Sequence, residues 1–283
     1  MRQRNHIKAY FYKMIFNVSS TLSYDVFSKT TFIFNIQALQ FDSQLIMEES
    51  LVISPEMAFE EFTLNNSDTR FIKMEAPEDV SFTIRYRAKV AVNPIQIEEN
   101  ELLKTSSLIN LDHEVLPFLA PSRHCESDKL TEFALATFGN LLNDYSKARA
   151  INDWIFTNIK YTISSTNAST SATDTLQNKS GVCKDFAHLG IALCRALDIP
   201  ARYFTGYAAA LNPPDFHACY EVYINGHWNI FDPTNLANTD ALVKIANAKD
   251  ASEVPVLSFF GEINCTYMEV ECHPILSDSE LFD

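Results

Sequence analysis

In Ser180-Gly181-Val182-Cys183-Lys184-Asp185-Phe186-Ala187-His188-Leu189-Gly190-Ile191-Ala192-Leu193-Cys194-Arg195, a flexible approach leads to one thiol and then to an apolar pattern with helical spacing. Counted from Cys183, residues Phe186, Ala187, Gly190, Leu193, Cys194 and Leu197 recur at i+3, i+4, i+7, i+10, i+11 and i+14, which is one stripe of a helix packed into a core. Cys183 therefore falls on the first turn. Free N–H groups and the positive end of the helix dipole favour an anion there, so a cysteine at that place is a usable nucleophile near neutral pH. Free cysteine is otherwise among the most often buried residue types, and Cys194, further along the same stripe, fits that plainer description.

A second segment supplies what a nucleophilic thiol needs. In Asp215-Phe216-His217-Ala218-Cys219-Tyr220-Glu221-Val222-Tyr223-Ile224-Asn225-Gly226-His227-Trp228-Asn229-Ile230-Phe231-Asp232-Pro233-Thr234, two β-prone runs flank Asn225-Gly226. That dipeptide calls for a two-residue type I′ turn, which fixes the register. Ile224 then faces His227, Tyr223 faces Trp228, Glu221 faces Ile230 and Cys219 faces Asp232. His217 lies two residues before Cys219 on the same face, diagonal to Asp232, at roughly 7 Å or less between β-carbons. A carboxylate held against one ring nitrogen fixes the tautomer and leaves the other to take a proton from a nucleophile. Such a pair can also do no more than close a hairpin. Here nucleophile, base and orienting acid follow one another as Cys183, His217 and Asp232.

Three blocks of this sequence, Gly181 to Ala187, Asp215 to Ala218 and Trp228 to Thr234, resemble in order the signature blocks of the transglutaminase-like superfamily. The likeness is greatest to the bacterial transglutaminase-like cysteine peptidase group, in which a β-rich N-terminal domain precedes a papain-like core. Pro121 to Asp128 and Leu197 to Tyr203 are similar to that group as well, so the likeness runs from about residue 14 to 273 and is strongest from 120 to 250. It implies an α+β fold with a papain-like catalytic domain behind a β-sandwich-like N-terminal domain. It also implies a triad of Cys183, His217 and Asp232, the cysteine opening the central helix and the other two on the sheet. Tyr161 precedes the cysteine on the side where related enzymes can place an oxyanion-stabilising aromatic, whereas Trp154 is expected to pack. Asp185, in the first helical turn, complements the dipole and is a second candidate for a supporting part. His188 lies about 140° round the helix from Cys183 and is expected to be structural, and His227 to be exposed beyond the turn.

Composition is consistent with an ordered globular chain. The 283 residues, 47% hydrophobic with only six glycines, are enough for two domains with separate cores. A net charge of −14 argues against a nucleic-acid partner, which needs a basic surface. The six cysteines, Cys125, Cys183, Cys194, Cys219, Cys265 and Cys272, are scattered rather than framed, and are expected to be reduced in a cytoplasmic protein. No CxxC, His-rich or EF-hand spacing occurs, so neither metal nor cofactor is expected. No run approaches the roughly 18 apolar residues of a membrane-spanning helix, and the apolar piece after Lys8 is too short for a signal-peptide core.

In chain order, residues 1–13 are expected to be a disordered extension. Residues 14–94 form a β-rich domain of short strands, with Phe82, Ile84 and Tyr86 alternating against Thr83, Arg85 and Arg87. Residues 95–122 are a linker. Residues 123–283 form the catalytic domain, with helices near 127–140 and 143–159, an uncharged Ser/Thr-rich loop at 164–173, a strand at 201–208 and further strands near 242–247, 254–260 and 267–272. The expected chemistry is acyl transfer through a thioester on a peptide or carboxamide bond, hydrolysis being favoured because water is always present. A lysine or polyamine as second substrate would make it a transglutaminase with the same triad. A third alternative is a peptide-binding scaffold with a vestigial triad.

Overall fold

The computed structural model describes residues 14–64, 67–94, 97–103 and 108–275; the expected extension at 1–13 lies outside them. Strands β1 (Met14–Val26), β2 (Thr30–Phe34), β3 (Gln44–Ser54), β4 (Phe59–Thr63), β5 (Arg70–Ala76) and β6 (Val80–Val92) come first. Then follow the one-turn helix α1 (Glu99–Leu102), α2 (Ser127–Phe138), α3 (Asp144–Asn158), β7 (Lys160–Tyr161), α4 (Ala172–Asn178), β8 (Ser180–Gly181) and α5 (Cys183–Arg195). The chain closes with β9 (Ala201–Ala208), β10 (Phe216–Ile224), β11 (His227–Phe231), β12 (Leu242–Ala248), β13 (Leu257–Phe260) and β14 (Ile263–Ile275).

Two four-stranded sheets, β14-β1-β6-β3 and β13-β2-β5-β4, build the N-terminal layer pair. The period-2 pattern puts Tyr24 and Phe82 of one sheet against Phe32 of the other, with ring centroids 5.7 and 5.0 Å apart. Two strands of these sheets come from the far end of the sequence. β14 pairs with β1 along its whole length, from Ile15 opposite Ile275 to Val26 opposite Ile263, and β13 pairs with β2. The segment expected to be wholly catalytic, 123–283, thus lends its last two strands to the N-terminal sheets. Alternation tells a strand which face to bury; it does not tell it which distant edge to join.

The third four-stranded sheet, β11-β10-β9-β12, carries α5 on one face. Residues 185–195 of α5 are all buried, not only the apolar stripe, because α2, α3 and α4 cover the sides that the sheet leaves. Gly190 lets helix and sheet meet: a β-carbon there would stand 2.6 Å from Cε1 of Tyr220. Arg195 ends the helix and donates to the carbonyls of Ala120, Ala201 and Lys249. The edge strand β12 is tied to the sandwich. The Gln44 amide donates to Lys244 O at 2.9 Å and accepts from Lys244 N at 2.7 Å, and the Tyr207 hydroxyl donates to Ile36 O at 2.6 Å. Covering that edge removes a template for unwanted pairing and fixes the sandwich against the sheet.

Candidate active site

The thiol is placed by local rules. Val182 is extended, and its N–H donates to Asp185 Oδ2 at 2.9 Å, which caps the helix so that Cys183 is its first residue. Gly181 is required by the same contact, since a β-carbon there would come within 2.7 Å of Cβ of Asp185. Asp185 is fully buried, and its other oxygen accepts from Lys184 Nζ at 2.7 Å. That ammonium also donates to Thr166 Oγ1 at 2.9 Å and Asn167 O at 3.1 Å, pinning the Ser/Thr-rich loop beside the cysteine. Asp185 acts through the helix end, as a cap.

The hairpin has the register that Asn225-Gly226 dictates. Ile224 pairs with His227, Tyr223 with Trp228 and Glu221 with Ile230, and both turn residues have positive φ, 50° and 88°. His217, second in β10, and Asp232, just past β11, are buried, and His217 Nε2 lies 2.9 Å from Asp232 Oδ2. Asp232 is itself held by Thr234 N at 2.9 Å, Thr234 Oγ1 at 2.6 Å and Ala237 N at 2.9 Å. Burial alone would raise its carboxyl, but the hydrogen bond and charge of His217, then the bonds from Thr234 and Ala237, outweigh it and hold it below the ordinary range. Burial likewise pushes the His217 imidazole down. The hydrogen bond to Asp232, and then the nearby thiols of Cys183 and Cys219, reverse that, and the net shift is upward. With Nε2 given to the carboxylate, Nδ1 is the ring nitrogen that remains for another partner. The structure therefore brings Cys183, His217 and Asp232 together.

Tyr161 belongs to the same group. Its hydroxyl lies close enough to Cys183 to be perturbed by it: burial, followed by the proximity of that thiol, pushes it up to about 12. The parallel pairing of β7 with β8, with Thr162 N donating to Gly181 O at 2.9 Å, holds it there. Trp154, by contrast, packs against Phe133 and under Lys179 Nζ, away from the thiol's partners. His188 is buried, stacks on His124 and accepts from Ala251 N at 3.1 Å. Burial drives its imidazole down to about 3, so it stays neutral. His227 is half-buried on β11 rather than exposed, because the hairpin end lies in a cavity wall.

Two contributors were not read from the sequence as part of the site. Thr234 could have been, since Asp-Pro-Thr lets an aspartate bond the N–H and hydroxyl two residues on. Cys219 is the second thiol beside the imidazole; strand alternation puts it on the His217 face, and burial pushes it up to about 12. Donor atoms of His217, Cys219 and Asp232 lie within 4.8 Å of one another, a spacing that could in principle suit a metal. All three are buried, and the His217 and Asp232 donor atoms are already taken up by each other and by the Ala237 N–H.

A helix-borne thiol, an imidazole and a buried carboxylate on a sheet, behind a β-sandwich, make up the set of groups that acyl transfer through a cysteine calls for. Comparison with known proteins agrees. The family described as the transglutaminase-like superfamily matches residues 131–233, and the bacterial transglutaminase N-terminal domain matches residues 14–114. A crystal structure of a candidate cysteine protease from Cytophaga hutchinsonii is 50% identical, with a TM-score of 0.91 over 94% of this chain and 92% of that one. The chain belongs to the transglutaminase-like superfamily, in the bacterial branch that carries the β-rich N-terminal domain. An uncharacterised protein of Mycobacterium leprae is 29% identical over 130 residues, covering 41% of this chain and 45% of that protein. One of Mycobacterium bovis is 30% identical over 146 residues, 46% of each. The chain spans about half the length of these curated relatives.

Proposed function

We propose that this protein is a cysteine peptidase or amidase working through a thioester. The observation that carries the proposal is the 2.9 Å His217–Asp232 pair, with the Cys183 thiol near enough to the same imidazole to shift it upward. His217 takes the Cys183 proton, the sulfur attacks the carbonyl carbon, and the Cys183 N–H and the neighbouring Tyr161 hydroxyl are the donors offered to the developing oxyanion. The C–N bond then breaks, and the proton on His217 goes to the departing amine. Water, deprotonated by the same imidazole, attacks the thioester and releases the acid and the thiol. Asp232 keeps the ring oriented throughout.

Hydrolysis is favoured by the likeness to the Cytophaga protein described as a candidate cysteine protease. Free thiols at Cys125, Cys183, Cys194, Cys219, Cys265 and Cys272 fit a reducing cytoplasm, and no described helix is long and apolar enough to cross a membrane. The expected partner is a peptide or protein substrate, and the net charge of −14 disfavours nucleic acid. The test is mass spectrometry of a peptide library incubated with and without a primary amine. Mass gains of 18 Da per cleaved peptide bond, shared between the fragments, or of about 1 Da per hydrolysed side-chain amide, unchanged by the amine, are expected; amine adducts would make the protein a transglutaminase, and no covalent product of any kind would leave only a binding scaffold.

Tyr161→Phe removes one oxyanion donor and leaves the ring against Phe186, 5.8 Å between centroids. We expect kcat to fall about 100- to 1000-fold with KM little changed, the usual range for such donors. A rise in kcat would mean instead that the hydroxyl blocks the oxyanion position.

A further inference from the structure

On the face of β10 that carries His217, the side chain of Glu221 lies roughly 13 Å further along, from four residues at the strand rise. It opens onto a cavity of about 680 Å³ between the sandwich and the catalytic sheet. This volume falls in the range of small-molecule sites. Phe41 comes from the sandwich side, while Phe204, Trp228 and Leu242 come from the sheet. Asp42 and Asp240 also line the cavity but are exposed, so water solvates their charge.

The charges in its wall do not balance. Among the described residues of the wall Glu221 is the single buried carboxylate, and two cations share it: Arg202 Nε donates to Oε2 at 2.6 Å and Lys244 Nζ to Oε1 at 2.5 Å. Lys244 sits between the rings of Phe41 and Phe204, 5.1 Å from each centroid. Burial, and to a lesser degree the Arg202 charge, push its ammonium down against the pull of Glu221; by count, two cations share one buried carboxylate. The Arg202 guanidinium lies 3.9 Å from the centroid of Trp228, and Nε is its only nitrogen with a hydrogen-bond partner among the described residues. Arg202 itself lines the cavity, and its terminal nitrogens have no acceptor among the described residues.

We propose that this cavity is a second ligand site, distinct from the catalytic centre, which binds a monocarboxylate carrying an apolar body. The planar fork of Arg202 pairs with the carboxylate, and the aromatic and aliphatic walls take the rest. One negative charge balances the excess cation, whereas a phosphate would bring nearly two into an apolar chamber. The carboxylate can be the C-terminus of a peptide ending in a hydrophobic residue or that of a free acid.

The sequence has two tryptophans, so Trp154→Phe leaves Trp228 as the only indole, lying against Arg202. Its fluorescence is titrated with N-acetyl-phenylalanine, with 3-phenylpropionate and with N-acetyl-phenylalanine amide. A saturable change is expected with at least one acid, at an affinity about tenfold or more above that of the neutral amide, because a charge-assisted bond is at stake. Saturation by the acetylated amino acid alone points to a peptide terminus, and by phenylpropionate to a free acid. Arg202→Lys keeps a cation for Glu221 but loses the fork, and should weaken the acid about tenfold. An amide that binds as well as the acid, no saturable signal with either acid, or a folded Arg202→Lys protein of unchanged affinity would overturn the proposal.

Discussion

Replacing Cys183 with alanine should abolish turnover, lowering kcat by about 10⁴- to 10⁶-fold, the scale on which removing a covalent nucleophile acts in a triad. The fold should survive. Cys183 is only partly buried at a helix terminus, and the cap that shapes that terminus is the Asp185 carboxylate bonded to Val182 N at 2.9 Å, which the substitution leaves alone. The companion measurement is alkylation by iodoacetamide in the folded protein. Cys183 should react well ahead of Cys194, which is fully buried and whose thiol burial pushes far up. If Cys183 reacts no faster than Cys194, or the alanine variant keeps its activity, the nucleophile has been misassigned.

Asp232 should show the second large effect, through two separable variants. Asp232→Asn keeps the shape but removes the charge that holds His217 upward, and kcat should fall about 10²- to 10⁴-fold. The sign of the accompanying pH change follows from the same bond. Since Asp232 raises the imidazole, its loss lets His217 give up its proton at lower pH, and the alkaline limb of kcat/KM should move down. An unshifted limb would mean that the carboxylate does not act through the imidazole. Asp232→Ala additionally leaves His217, Thr234 N and Ala237 N without their shared acceptor inside the protein. Breaking a buried charged pair of this kind costs about 3–5 kcal/mol, which a denaturant titration at neutral pH would read. In the unsubstituted protein the Asp232 contribution is present above the ordinary carboxylate range, and it is lost as pH falls through the lowered Asp232 pKa.

Much of this site is local chemistry, and local chemistry is legible in a sequence. Asn225-Gly226 admits one tight turn, and that turn sets every pair from Ile224 opposite His227 to Tyr220 opposite Phe231. From this register alone, His217 and Asp232 had to be neighbours across the hairpin. The apolar spacing after Cys183 likewise fixed where the helix began, with no knowledge of its surroundings. Cys219 was legible as facing Asp232, but its place beside the imidazole was not, because a small apolar thiol at an inward position reads as ordinary core.

The sequence by itself determined which groups could do the chemistry and how each is held by its nearest neighbours along the chain. Tertiary structure alone decided that the end of α5 meets the His217–Asp232 hairpin, that Tyr161 lies close to Cys183, and that β14 crosses from the far end of the chain to lie beside β1. The reason is physical. Turns, caps and helical stripes depend on backbone sterics and hydrogen bonds over a few residues, whereas the meeting of distant elements depends on which edges and faces remain unpaired once every other element has found its place.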